Sequence, residues 1–165
     1  MKKVITLLFL LFFCYGSDFA QTYLGNLTNV QITETAVLVR SDSASVVFSF
    51  LSADIVRVTY APSNSVKFDT SFTVVQKNSQ WSIFTYKDLD SSFEIITSAL
   101  SIVCKKYPLR ISYHNSIGEL LVAEPQSGGL SNMGLQRWVN FNLSPDEHLY
   151  GTGERGTSLD KRGQS

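Results

Sequence analysis

The chain has 165 residues, 44% of them hydrophobic and 17% charged, and its 14 Lys and Arg balance 14 Asp and Glu to a formal charge of zero. That length suits one domain with a real core and is too short for two large ones. With no net charge and no run of like charges, nothing draws the chain to nucleic acid or to an anionic membrane surface.

The first element in chain order is not part of a fold. Lys2 and Lys3 precede an apolar stretch from Val4 to Phe13, and a polar segment then ends in Ser17-Asp-Phe-Ala20. A basic start, a short apolar run and a small residue before a cut point make a secretory signal peptide over residues 1–20. Ala20 is the favoured cleavage point and Ser17 the alternative. A spanning anchor needs about 18 or more apolar residues, so stable membrane insertion is not expected. Phe13 stands just before Cys14, where a lipobox requires a small residue, which disfavours lipidation. The expected destination is the periplasm or the exterior.

Removal of residues 1–20 leaves Cys104 as the single cysteine, so no internal disulfide forms and stability must come from core burial. Cys104 sits in the alternating run Leu100-Ser-Ile-Val-Cys-Lys-Lys106, which reads as a buried structural thiol and not as a nucleophile.

Period-two alternation dominates from Thr35 onward. Candidate strands are Ala36 to Arg40, Val46 to Phe50, Val56 to Tyr60, Ser71 to Gln76, Trp81 to Tyr86, Ser92 to Thr97, Ser101 to Lys105, Arg110 to His114, Glu119 to Ala123 and Arg137 to Leu143. Turn-forming runs separate them, at Ser41 to Ala44, Pro62 to Asn64, Lys87 to Asp90 and Asn115 to Gly118. No dozen-residue window shows helical periodicity. Short strands at this spacing predict an all-β fold in one domain, an antiparallel β-sandwich or barrel, because βαβ units would need helices. Pro125-Gln-Ser-Gly-Gly129 is the strongest break and is expected to carry a loop from one sheet to another.

Gly151-Thr-Gly153-Glu-Arg-Gly156 spells the glycine pattern of a dinucleotide loop. The following residues Thr157 to Gly163 have no amphipathic helical face to supply free N–H groups to a pyrophosphate, so no nucleotide is expected. His114, expected at a hairpin tip, and His148 lack a second ligand at metal spacing, and hydrogen-bonded or surface roles are expected for both. Ser127 is outside any nucleophile elbow, and no Ser/His/Asp set can be assembled. Glu119, Glu124, Asp146, Glu147, Glu154 and Asp160 all fall in the second half, where solvated turn carboxylates are the default reading against a hydrolytic pair. No cofactor or metal is implied.

Leu149-Tyr-Gly-Thr-Gly-Glu-Arg155, followed by Leu159-Asp-Lys-Arg-Gly163, resembles the YGxGE segment of family 31 glycoside hydrolases, which joins their N-terminal β-sandwich to their catalytic barrel. Ala53 to Tyr60, Phe93 to Thr97, Leu100 to Val103 and Arg110 to Gly118 are similar to successive strands of that sandwich, in the same order. The resemblance implies a galactose-mutarotase-like sandwich over residues 21–148, with residues 149–165 beginning the junction toward a (β/α)8 barrel of about 250 residues. It implies a parent enzyme of the α-glucosidase or α-xylosidase type, retaining in mechanism, with a glycoside or oligosaccharide as substrate. Both catalytic aspartates of the family lie on the barrel, so none falls on this chain and the 165 residues alone are expected to be inactive. Tyr150, Gly151, Gly153, Glu154, Arg155, Leu159 and Gly163 match the junction motif and are read as structural. The glycines would serve the turn, and Tyr150 and Glu154 would pack or hydrogen-bond at the domain junction. The rival readings are a stand-alone carbohydrate-binding sandwich and a sugar mutarotase. The second needs acid–base histidines that His114 and His148 are poorly placed to supply.

Overall fold

A computed structural model describes residues 20–62, 83–151 and 159–163. The expected signal peptide before Ala20, the strand at Ser71 to Gln76 and the junction residues Gly153, Glu154 and Arg155 lie outside the described residues. Among the described residues every regular element is a β-strand. They are β1 (Thr22–Tyr23), β2 (Leu27–Ile32), β3 (Ala36–Ser41), β4 (Ala44–Phe50), β5 (Val56–Pro62), β6 (Thr85–Asp88), β7 (Ser92–Ile96), β8 (Leu100–Lys106), β9 (Leu109–Asn115), β10 (Leu120–Ala123), β11 (Ser131–Met133) and β12 (Gln136–Trp138).

The strands form three antiparallel sheets, in the orders β2-β3-β4-β5, β10-β9-β8-β7-β6 and β1-β11-β12. Alternation decides which residues face inward. In the four-stranded sheet Val39 lies opposite Val46, Val37 opposite Phe48, and Phe48 opposite Val58, so one face is continuously apolar. In the five-stranded sheet the matching rows are Phe93, Cys104 and Ile111, and Ile95, Ile102 and Tyr113. Both faces enter one core cluster, in which Phe48, Phe50 and Phe93 are fully buried. Each such side chain contributes about 2 kcal/mol by its removal from water. Phe84 stacks on Phe50 with ring centroids 5.0 Å apart and closes one end of the cluster. Cys104 is buried among these apolar neighbours, and burial pushes its thiol well above the usual value.

Several expectations change. The strand expected at Arg137 to Leu143 is regular only over β12, and residues 139–143 continue without a ladder; Asn142 donates its N–H to Ala123 O at 2.8 Å, and Phe141 meets Tyr113 edge-on. Their alternation records an apolar contact with the sandwich and not strand pairing. Of the strand expected at Trp81 to Tyr86, Trp81 and Ser82 lie outside the described residues and the ladder spans Thr85–Asp88, so the turn expected at Lys87 to Asp90 starts later, with Leu89 N–H donating to Ser92 O at 2.9 Å. Three strands were not anticipated: β1, β2 and β11. β2 is an edge strand with a register shift between Leu27 and Asn29, and only Leu27 and Val30 pack on the core, which breaks the alternation that would have marked it.

The loop expected at Pro125 to Gly129 does pass from one sheet to another, between β10 and β11. Its anchor is Glu124, buried at 7% exposure. Glu124 N–H donates to Ile111 O at 3.0 Å, while the Oε2 of the same residue accepts the Ile111 N–H at 2.9 Å, so side chain replaces main chain in that rung of the ladder. Oε1 accepts the Leu130 N–H at 3.0 Å and ties the loop's far end to the same carboxylate. Gly129 makes the approach possible. It takes φ of +86°, and a Cβ there would lie 2.7 Å from Glu124 Cδ. Tyr60 Oη donates to Asn132 Oδ1 at 2.7 Å, so the small sheet is also tied to the four-stranded one.

Gly118 has nearly the same φ, +85°, but nothing within 4 Å of a Cβ. Gly129→Ala is therefore expected to lower unfolding free energy by about 2–4 kcal/mol, through strain and collision together, against about 1 kcal/mol for Gly118→Ala through strain alone. Urea unfolding of the two variants measures the difference.

Candidate functional site

The segment that carries the junction motif is built from short-range hydrogen bonds and not from core burial. Ser144 and Glu147 close a turn, with Ser144 N–H donating to Glu147 Oε2 at 2.6 Å and Glu147 N–H to Ser144 O at 3.1 Å. Tyr150 and Asp160 then form an antiparallel bridge, and Lys161 N–H donates to Leu149 O at 2.7 Å. Asp160 organises the meeting of the two segments. Its Oδ1 accepts the N–H of Arg162 at 3.0 Å and of Leu149 at 3.3 Å, and its Oδ2 lies 2.6 Å from His148 Nδ1. Arg162 completes the enclosure by donating from Nη1 to the carbonyls of Ser144, at 2.6 Å, and Glu147.

The residues of the motif fall into this frame as follows. Tyr150 is 62% exposed, with its ring stacked on His148 at 6.2 Å. Gly151 takes φ of +91° with no atom of the described residues near the position of a Cβ, so the backbone conformation calls for glycine. Gly163 is also left-handed, and Leu159 is 78% exposed. The structure thus brings Tyr150 and Gly151 beside the 159–163 segment. Asp160 was grouped with the solvated carboxylates and its organising role was missed. The available signal was its place two residues before Arg162, the spacing at which an aspartate accepts a backbone N–H in an Asx turn.

The other carboxylates also have local structural tasks. Glu119 Oε2 accepts from Asn115 Nδ2 at 2.7 Å within the β9–β10 turn, Glu147 caps the Ser144 turn, and Glu124 is the buried anchor described above. Glu154 lies outside the described residues. His114 is inside β9 and not at the hairpin tip; the tip is Ser116 to Gly118, stabilised by Asn115 Oδ1 accepting the N–H groups of Ile117 and Glu119. His114 Nε2 lies 3.1 Å from Ser112 Oγ and Nδ1 lies 3.4 Å from Gly118 O. Ser112 Oγ also lies 3.4 Å from Val103 O, and the ring sits between that hydroxyl and the Gly118 carbonyl. Among the described residues no three His, Cys, Asp or Glu side chains gather as metal ligands.

Two antiparallel sheets sharing one core, followed by a bridged segment that leads away from it, define the class: an N-terminal galactose mutarotase-like sandwich. The chain belongs to the glycosyl hydrolase 31 N-terminal galactose mutarotase-like domain family, whose profile matches residues 45–165. It is 26% identical over 142 residues to alpha-glucosidase 2 of Bacillus thermoamyloliquefaciens, covering 86% of this chain and 18% of that protein. The glucose complex of the Flavobacterium johnsoniae GH31 dextranase superposes with a TM-score of 0.75 at 25% identity, again over 86% of this chain and 18% of that one. The Listeria monocytogenes cycloalternan-forming enzyme, solved with a pentasaccharide substrate, shares the fold with a TM-score of 0.73 at 23% identity, over 88% of this chain and 14% of that one. This chain therefore spans less than a fifth of the length of each. The family profile begins within β4, yet Leu24, Val37 and Val39 are buried in the same core, so β3 and the segment before β2 belong to the sandwich too.

The Arg162 N–H and the His148 ring hold the Asp160 carboxyl below its ordinary value of 3.8. A lowered value means that the ionised, bond-accepting form is the one the folded segment favours, so the junction holds above pH 3.8 and loosens as pH falls through the depressed value. Amide resonances of Leu149 and Arg162 are expected to titrate together with a midpoint below 3.8, and Asp160→Asn to abolish that shared transition. Core amides such as Ile102 should not follow it.

Proposed function

We propose that this chain is the N-terminal, non-catalytic sandwich of an exported retaining α-glycosidase, with residues 149–163 forming the structural junction toward a catalytic (β/α)8 barrel. The observation that carries the reading is the family match over residues 45–165, which includes the whole junction motif. Hydrolysis of an α-linked glucoside or xyloside would occur on the barrel, between one carboxylate that forms a covalent glycosyl intermediate and another, about 5 to 5.5 Å away, that acts as acid and then base. This reading is supported by the tasks of the carboxylates on this chain, since Glu119, Glu124, Glu147 and Asp160 each hold a turn, a loop or the junction in place. Tyr150, Leu149 and Leu159 stay open to solvent on the junction, where side chains of the following domain would cover them.

The purified 165-residue chain is expected to release no chromophore from nitrophenyl α-glucoside or α-xyloside. Measurable turnover would overturn the assignment of catalysis to the barrel. Saturable binding of neutral oligosaccharides by the same chain, read by calorimetry, would favour a stand-alone carbohydrate-binding module instead.

Export rests on Lys2, Lys3 and the apolar stretch from Val4 to Phe13. Mass spectrometry of the protein secreted by a bacterial host is expected to give Gln21 as the first residue. Retention of Met1 in the cytoplasm would count against export.

A further inference from the structure

We propose that the outer face of the five-stranded sheet binds a small oxyanion group, a carboxylate or a phosphate, in a pocket between β8, β9 and the loop after β10. The pocket has a volume of about 240 Å³, and Lys105, Arg110, Ser112, Leu120, Ala123 and Gln126 line it. Nothing in the junction or in the glycosidase reading uses this face.

The argument starts from the ladder. Lys105 lies directly opposite Arg110 in the β8–β9 register, so two cations share one row of the sheet's outer face. Like charges placed in this way repel each other unless an anion lies between them. The side chain directly opposite Lys105 on β7 does not supply one, and the carboxylate in charge interaction with Arg110 is Glu124 in the pocket wall. The residue opposite Lys105 on β7 is Ser92, and Glu94 on that strand lies opposite Val103, with Lys87 as its other cross-strand neighbour. Among the described residues the ion pairs are Lys106 with Asp88 and His148 with Asp160, and neither Lys105 nor Arg110 takes part in one.

Glu124 also lines the pocket and is in charge interaction with Arg110. Both of its oxygens already accept backbone N–H groups, from Ile111 and Leu130, which holds it in the wall of the site and not in its mouth. Arg110 is oriented by two carbonyls, Nε donating to Gln126 O at 3.1 Å and Nη1 to Leu109 O at 2.7 Å. A guanidinium has five N–H donors, so this fixes its plane and leaves donors for a bidentate oxyanion. Ser112, two residues along the same face, borders the site with a hydroxyl already engaged by Val103 O at 3.4 Å and His114 Nε2 at 3.1 Å. Leu120 and Ala123 give the pocket an apolar side against which a carbon skeleton can rest. A polyanion is a poor fit, because the cationic row is two residues wide on a chain of zero net charge.

The test is a titration of the isotopically labelled 165-residue chain, followed by amide correlation spectra at constant ionic strength, with inorganic phosphate, sodium glucuronate and glucose in separate arms. Saturable shifts centred on Lys105, Arg110, Ser112 and Gln126 are expected with at least one anion, with dissociation constants on the order of 1–10 mM, and none with glucose. A stronger response to glucuronate assigns the oxyanion to a sugar acid, and a stronger response to phosphate assigns it to the free inorganic ion. Lys105→Gln, a change at an exposed residue, is expected to weaken binding about tenfold while leaving the rest of the spectrum in place. Shifts that rise linearly without saturation, an equal response to glucose, or unchanged binding in Lys105→Gln would each overturn the proposal.

Discussion

The Glu124 carboxylate is the point at which the five-stranded sheet and the small sheet depend on one another. Removing an ionised carboxylate from water costs several kcal/mol unless hydrogen bonds and charges replace the solvent. Here the Ile111 and Leu130 amides and the nearby Arg110 charge supply that replacement, and Gly129 leaves the space for it. Burial outweighs them, so the group sits above its ordinary value of 4.5. A raised value means that the folded state binds the proton more readily than the unfolded chain. The protonated clamp is therefore the more stable one, fully so below pH 4.5, and part of its contribution is lost as pH rises through the raised value. Without the clamp, the end of β10 and the strand β11 would be joined by a glycine-rich loop held through Arg110 to Gln126 O and by the Asn142 N–H on Ala123 O.

This clamp also shows where sequence reading stops. Alternation marked β3, β7 and β8 well, because each has one face in the core and one more open, and the period-two signal is a record of that burial, while β4 is buried on both faces and was marked by its apolar run. The same reasoning placed Cys104 inside, where it is fully buried. It could not mark β2, whose edge position leaves too little apolar surface to make a pattern, nor β1 and β11, which are two and three residues long. Glu124 appeared in the sequence as one of six carboxylates with nothing to set it apart. Its burial depends on Ile111 and Leu130, which are distant enough in sequence, at 13 and 6 residues, that only the folded ladder brings them together. The one local hint is the Gly-Gly pair that follows, which makes sense once a carboxylate has to be approached closely.

The junction was legible for a different reason. Its motif resemblance named the segment, while the physics within it went unread, since the organising residue is Asp160 and not Tyr150 or a glycine. Asp160 works over eleven or twelve residues of separation to Leu149 and His148, a distance that no helical or strand periodicity expresses. Its contacts are exposed and charge-assisted, so they fix a direction for the chain more than they add stability, as is usual for polar contacts open to solvent. A segment that leads from one domain toward another needs that direction held while its surface stays available.

The two halves of the structure therefore use polar groups in opposite ways. Inside the sandwich a buried carboxylate is enclosed and amide-bonded, and moving it would disturb two sheets at once. At the junction an exposed carboxylate gathers a histidine and two amides around a chain reversal that can change without disturbing the core. Because the core is set by apolar alternation, the Glu124 clamp and the Tyr60–Asn132 bond, the outer rows of the sheets are free to carry charge. Lys105 and Arg110 occupy such a row, side by side across the β8–β9 ladder, where the Arg110 plane is held by backbone carbonyls and the Lys105 ammonium stays in solvent.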